Sequence, residues 1–324
     1  VSEPLWPNNN KNANINLSFG LSTPSHLWSE RLDQKQKIVA AAYDAGYDHL
    51  FMADHVSFRN GSGTDGFVEV AGLSQLHARM GVMISIYLLP LRHPLPVARQ
   101  LSTMGQIASG RMIFGVGIGG DDRHEVEVSG VNPATRGKRT NESLEIIRRL
   151  LDGETVDFEG EHFELSEAVI RPRPDPAIPM MVGGRSDAAL VRAGRYAEGW
   201  IGVWCSPRRF TEAVQKVEEA GAAAGRTNVN WQHGYQPWVG IAESKEQARE
   251  VVKEQMERFY KIPFEKFERY TPYGTPQQAA EMLSSYADAG ARLFNLKLCT
   301  VHAEEELAAA SEVRAELIRH SGYS

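Results

Sequence analysis

The chain has 324 residues, 42% of them hydrophobic and 23% charged, with a formal net charge of -6. This is the composition of a soluble globular protein; the acidic balance, with no basic tract, argues against a general nucleic-acid binder, and no run of about 18 apolar residues predicts a membrane span. Cys205 and Cys299, the two cysteines, are expected as reduced, buried thiols rather than as a disulfide.

Residues 1–14 are polar and asparagine-rich and lack the basic stretch and apolar core of a signal peptide. They read as a mobile arm on a cytoplasmic protein, ahead of a single domain over 15–320. A strand is expected at 16–21 and a helix at 30–45, stopped by Gly46. A strand at 49–53 and a short helix at 65–78 follow. The next strand ends near Leu89 and runs into the turn Arg92-His93-Pro94. Pro94 suits a first helical turn, because its missing N–H would have had no partner there. Val97, Leu101, Met104 and Ala108 form one apolar stripe, and Gly110 stops the helix. Met112 to Val116 is uniformly apolar, as a strand buried on both faces is.

A helix at 140–151 precedes a break in the pattern. Phe158 and Phe163 flank a Glu-Gly-Glu turn, which predicts an inserted β-hairpin near 155–165. Alternation then resumes with a strand at 178–182, a helix at 187–197, a strand at 200–203, a helix at 207–224 and a strand at 238–241. Capping boxes are expected at Ser244/Gln247 and Thr275/Gln278, with an irregular segment near 260–274 between the helices they open. A strand at 292–298 and a helix at 303–318 complete the order. About eight strands, each followed by helical sequence, predict an α/β fold, a (β/α)8 TIM barrel with small insertions, in preference to a doubly wound sheet.

A barrel carries its function in the loops after its strands, so the polar residues there are the candidates. Asp54 and His55 follow the second strand and are the candidate catalytic residues; a histidine at that place suits proton transfer, its ordinary pKa lying near neutrality. His93 is expected as part of a turn. Gly115-x-Gly117-x-Gly119-Gly120 ends the fourth strand and lets the backbone approach a planar ligand, with Gly117 and Gly119 as candidate cofactor contacts. Glycine at every second residue within a strand end is not the dinucleotide fingerprint. Asp121, Asp122, His124 and Glu125 follow; a solvated acidic loop is favoured there over a divalent-metal site. Gly183-Gly184-Arg185-Ser186 enters a helix at Asp187, a pattern that presents backbone N–H groups to a phosphate. A metal-dependent barrel hydrolase is disfavoured, because Gly20-Leu21-Ser22-Thr23 stands where His-x-His would follow the first strand.

Several of these segments together resemble the bacterial luciferase-like monooxygenase superfamily, which includes flavin monooxygenases and coenzyme F420-dependent oxidoreductases. The matching pieces are Phe51-Met-Ala-Asp54-His55, Leu89-Pro-Leu-Arg-His-Pro94, Ser109-Gly-Arg-Met-Ile-Phe-Gly-Val-Gly-Ile-Gly119, Arg136-Gly-Lys-Arg-Thr-Asn-Glu142 and Pro179-Met-Met-Val-Gly-Gly-Arg-Ser186, continuing to Gly199-Trp200. The resemblance implies a barrel that holds FMN or coenzyme F420 at the carboxyl ends of its strands, with the phosphate near Gly183, Gly184, Arg185 and Ser186. It makes His55 the family's active-site histidine and places Ser85-Ile86 at a non-prolyl cis peptide that buttresses the ring.

Within the family the Asp-His pair, Ser85-Ile86 and the Gly-Val-Gly segment are closer to the F420-dependent branch. Ile118 stands where luciferase-type members carry an arginine for the FMN phosphate, and Gly120 where some F420 dehydrogenases carry a catalytic glutamate. The expected activity is F420-dependent hydride transfer to or from a small organic substrate. The alternatives are an FMN-dependent monooxygenase served by a separate flavin reductase, with Trp204, Trp238 and the aromatics of 259–273 as an apolar lid, and a non-catalytic flavin-binding protein. The family also implies a homodimer. The segments 57–64, 121–132 and 261–274 are expected to line the substrate pocket, with the Gly-rich 60–64 as a mobile flap.

Overall fold

The computed structural model describes residues 17–120 and 122–323; the expected arm at 1–14 lies outside the described residues. In chain order the elements are β1 (Ser18–Ser22), α1 (Leu32–Asp44), β2 (His49–Met52), α2 (Gly66–Ser74), β3 (Gly81–Leu88), α3 (Pro94–Ile107), β4 (Met112–Gly117), α4 (Arg123–Val128) and α5 (Arg136–Leu151). The second half holds β5 (Val156–Glu159), β6 (Glu164–Ala168), β7 (Met180–Gly183), α6 (Asp187–Tyr196), β8 (Gly199–Gly202), α7 (Pro207–Ala223), β9 (Gly234–Tyr235), β10 (Trp238–Ile241), α8 (Lys245–Tyr260), β11 (Tyr273–Gly274), α9 (Pro276–Asp288), β12 (Leu293–Cys299) and α10 (Glu306–Ser321). Hydrogen-bonded neighbours run β1-β2-β3-β4-β7-β8-β9-β12, and β12 pairs again with β1, which is the strand order of a closed (β/α)8 barrel. β5 and β6 form the separate antiparallel hairpin expected from the two phenylalanines. No helix of the described residues is long and apolar enough to cross a membrane.

Two compact units make up the described chain, one of residues 52–199 and 217–229, the other of 17–51, 200–216 and 230–323. In the first, β4 lies between β3 and β7, all parallel, with Ile84 opposite Phe114 and Phe114 opposite Met180. The strands are buried along almost their whole length, which is why they read as continuous apolar runs. Phe67, Tyr87 and Phe114 pack ring to ring at 5.0–5.6 Å between centroids. Helix α3 begins as expected with Pro94 in its first turn, and His93 is its N-cap, Nδ1 accepting from the Leu95 N–H. His93 also meets the ring of Phe163 edge-on, so its place is that of a structural turn residue.

In the second unit, β12 runs parallel to β1 and β9, with Phe19 opposite Phe294 and Gly20 opposite Asn295. Gly20 must be glycine, because a Cβ there would strike both the Asn295 side chain and the His49 ring. The expected seventh strand at 238–241 is β10, but the chain first pairs with β8 and β12 at β9, ahead of Pro237. Pro237 lacks the N–H a ladder needs, so the sequence reads as broken where the structure makes two short pairings.

Trp238, Phe264, Phe267, Val252, Met256 and Cys299 form a buried cluster in this unit, with Trp204, Phe259, Tyr260 and Tyr273 packed on it. Phe259, Tyr260, Phe264, Phe267 and Tyr273 are therefore packed together as a core, and both cysteines are buried free thiols. At the two expected capping boxes the outcomes differ. Thr275 and Gln278 exchange both bonds, whereas Ser244 accepts from the Gln247 N–H without a return bond.

Candidate active site

The loop after β2 carries the first candidates. The His55 N–H donates to the Thr64 carbonyl at 3.0 Å, and Phe58 and Ser62 exchange backbone bonds at 3.0 Å. The segment expected as a mobile flap is thus a hydrogen-bonded turn, closed by glycines at φ +85 (Gly61) and +135 (Gly63). Gly63 lies directly against His55, where any Cβ would press on the histidine Cβ. The Phe58 ring covers the imidazole at 4.2 Å between centroids. The histidine is held on three sides, and its side chain is 16% accessible.

Its fourth contact comes from α4. The His55 Nδ1 lies 3.1 Å from Oε2 of Glu125, and the N–H groups of Val56 and Ser57 donate to Glu125 Oε1 at 2.7 and 3.1 Å. Glu125 itself is 2% exposed. One turn earlier, Asp122 caps α4 by accepting from the His124 N–H, and also accepts from the Arg59 N–H at 2.6 Å. That second bond holds the Asp122 carboxyl below its ordinary range. The acidic segment expected as a solvated loop is therefore a short helix that grips the histidine loop with two carboxylates. Composition suggests solvation; the i to i+3 spacing of Asp122 and Glu125, which sets both on one side of a helical turn, is the signal available in the sequence. Asp121 lies outside the described residues, and among those described no group of three or more His, Cys, Asp or Glu side chains is arranged to hold a metal.

Asp54 goes to a different use. Arg92 clasps it with two nitrogens at 2.7 and 2.8 Å, and the N–H groups of Gly66 and Leu88 donate to its two oxygens at 3.0 Å. Its side chain has no accessible surface. Burial pushes the carboxyl above its ordinary range, against the opposing pull of Arg92 and the two N–H groups. Every strong acceptor direction of Asp54 is occupied, and the carboxylate expected as catalytic ties the end of β2 to β3, to the start of α2 and to the turn before α3.

The Ser85–Ile86 peptide is cis, as the resemblance implied. Ser85 is buried, and Ile86 is the one residue of β3 that is not. A Cβ at Gly117 or Gly183 would run into the end of the Ile86 side chain, and one at Gly115 into the Ile84 carbonyl. The alternating glycines of β4 thus make room for Ile86 and the β3 backbone. Gly119 has φ +70, a left-handed conformation that ends the strand, and its carbonyl accepts from Arg136 at 3.0 Å.

At the end of β7, Gly184 has φ +128 and stands against Ala189, so both its backbone and its space require glycine. Arg185 and Ser186 are exposed. The Ser186 Oγ accepts from the Ala189 N–H and caps α6, a helix of 10 residues. A glycine turn into a capped helix start, with a cation beside it, has the donor set a phosphate needs. Much of the remaining family motif is structural. Within α5 and its start, Arg136 holds Gly119, Arg139 donates to the Pro90 carbonyl, Asn141 accepts from Arg192, and Glu142 accepts from three N–H groups of the β5–β6 turn.

The chain is thus a parallel α/β barrel with a carboxylate-tethered histidine and a glycine turn at the carboxyl ends of its strands. Residues 15–293 match the luciferase-like monooxygenase family, and the chain belongs to it. An F420-dependent glucose-6-phosphate dehydrogenase of Microbacterium testaceum is 27% identical over 308 residues, covering 86% of this chain and 90% of the relative. An uncharacterized protein of Mycobacterium tuberculosis is 31% identical over 210 residues, 59% of this chain and 72% of that one. Among solved structures, an F420-dependent secondary alcohol dehydrogenase in complex with an F420–acetone adduct gives a TM-score of 0.80 at 19% identity, over 93% of this chain and 99% of that one. At that identity the likeness shows the fold.

Proposed function

We propose that the chain is an oxidoreductase that uses coenzyme F420 for hydride transfer to or from a small organic substrate. The observation that carries this reading is the tethered His55, with one ring nitrogen held by Glu125 and the other, Nε2, without a hydrogen-bond partner among the described residues. Bound coenzyme F420 supplies the hydride chemistry. His55 moves the proton that accompanies the hydride, so that the substrate gains or loses two electrons in all. Ile86, set on Gly117 and Gly183, supports the ring. Gly183, Gly184, Arg185 and Ser186 take the phosphate, and Gly119 with Arg136 fixes the edge of the site. The F420-dependent dehydrogenase relative supports this cofactor.

FMN is the second reading, suggested by a solved neighbour of the same fold, a type II Baeyer-Villiger monooxygenase in complex with FMN; it would require a separate flavin reductase. Equilibrium titration with F420 and with FMN, read by fluorescence, separates the two. The proposal expects saturable F420 binding tighter than FMN. A preference for FMN replaces it with oxygen chemistry, and binding of neither coenzyme ends the cofactor assignment. We also propose a homodimer, which elution as a monomer on gel filtration at working concentration contradicts.

A further inference from the structure

An ionised carboxylate accepts hydrogen bonds and donates none. Glu125 Oε1 already receives the Val56 and Ser57 N–H groups, and Oε2 is the oxygen nearest the imidazole. The nitrogen facing that carboxylate is Nδ1, so Nδ1 must carry the proton. In a neutral imidazole only one nitrogen does, which leaves Nε2 with its lone pair. The Phe58 ring, the Thr64 carbonyl and Gly63 fix the histidine's place and plane, and a half-turn of the ring in that plane would set Cδ2 in place of Nδ1 against Glu125 and forfeit the bond.

We propose that Glu125 is a positioning residue that locks neutral His55 in the Nδ1–H tautomer and so presents Nε2 as a proton acceptor. This rests on the reading of His55 as the proton-moving group, and it adds what makes His55 fit for that task. Glu125→Gln keeps the shape but changes the logic. The carbonyl oxygen of the substituted amide is still needed by Val56 and Ser57, so its NH₂ faces Nδ1 as a donor and drives the ring proton to Nε2.

The test is a long-range nitrogen–proton NMR correlation on uniformly ¹⁵N-labelled protein without coenzyme, with His55 assigned among the 10 histidines by its loss in His55→Ala. Wild type is expected to show the protonated-type signal at Nδ1 and the lone-pair-type signal at Nε2 at neutral to mildly alkaline pH. Glu125→Gln is expected to exchange the two. A wild-type ring protonated at Nε2, or a folded Glu125→Gln protein with the proton still on Nδ1, overturns the proposal. If the variant does not fold, the wild-type spectrum decides alone. Because no coenzyme is present, failure of F420 to bind in the titration sinks the cofactor reading and leaves this result intact.

Discussion

The turn from β3 into α3 and the short helix α4 both grip the loop after β2, and they do so to different ends. The first reaches Asp54 through Arg92 and closes around it until the carboxylate has four donors and no accessible surface. The second reaches the next residue, His55, satisfies one ring nitrogen and leaves the side chain 16% accessible. Two neighbours in one dipeptide motif thus divide the work. A polar group with all its bonds made inside the protein holds the scaffold; one with a nitrogen held in place and another left open is equipped for chemistry.

The largest effect that contrast predicts is on stability. Asp54→Ala leaves the partly buried Arg92 guanidinium with Asp65, at 3.7 Å, as its remaining carboxylate and takes the acceptor from the Gly66 and Leu88 N–H groups; a loss of about 3 kcal/mol, the lower end for a broken buried pair, should appear in urea unfolding. His55→Ala should instead leave the unfolding midpoint within error while lowering turnover roughly 10²–10⁴-fold, the scale of a lost general acid or base. The roles are reversed if Asp54→Ala unfolds like wild type, or if His55→Ala keeps its turnover.

At the glycine turn, Gly184→Asp sets a carboxylate where a phosphate is expected and forces a side chain into φ +128. F420 affinity should fall at least tenfold in the same titration; unchanged affinity puts the phosphate elsewhere. Gly117→Ala displaces the Ile86 side chain, at about 1–3 kcal/mol for an overpacked site, and Ile86→Val in that background should restore part of the loss. The smallest change is a control in the other unit. Thr275→Ala removes a helix cap worth about 1 kcal/mol and should leave F420 affinity as it was.

Much of this is legible in the chain. Pro94 after His93, the uniformly apolar Met112–Val116 and the Phe158/Phe163 hairpin all report local physics, and the structure has each of them. The tie of Asp54 to Arg92, 38 residues away, is not readable from sequence, because no local pattern marks a long-range ion pair. The contact of Glu125 with His55 is hidden for the related reason that an acidic run looks solvated until the loop it serves, 70 residues earlier, folds onto it. The glycines of β4 look like openings for a ligand, whereas most of the space at Gly117 belongs to Ile86. Sequence periodicity locates strands and helices; it does not show which side chain fills a gap left by a glycine.

The most direct measurement follows the His55 ring nitrogens in wild-type protein as F420 is added. The account predicts that the Nε2 resonance moves in step with F420 saturation while Nδ1, held by Glu125, changes little. Saturation with F420 that leaves both nitrogens of His55 unmoved would contradict it, and would place the coenzyme away from the histidine on which the proposed chemistry depends.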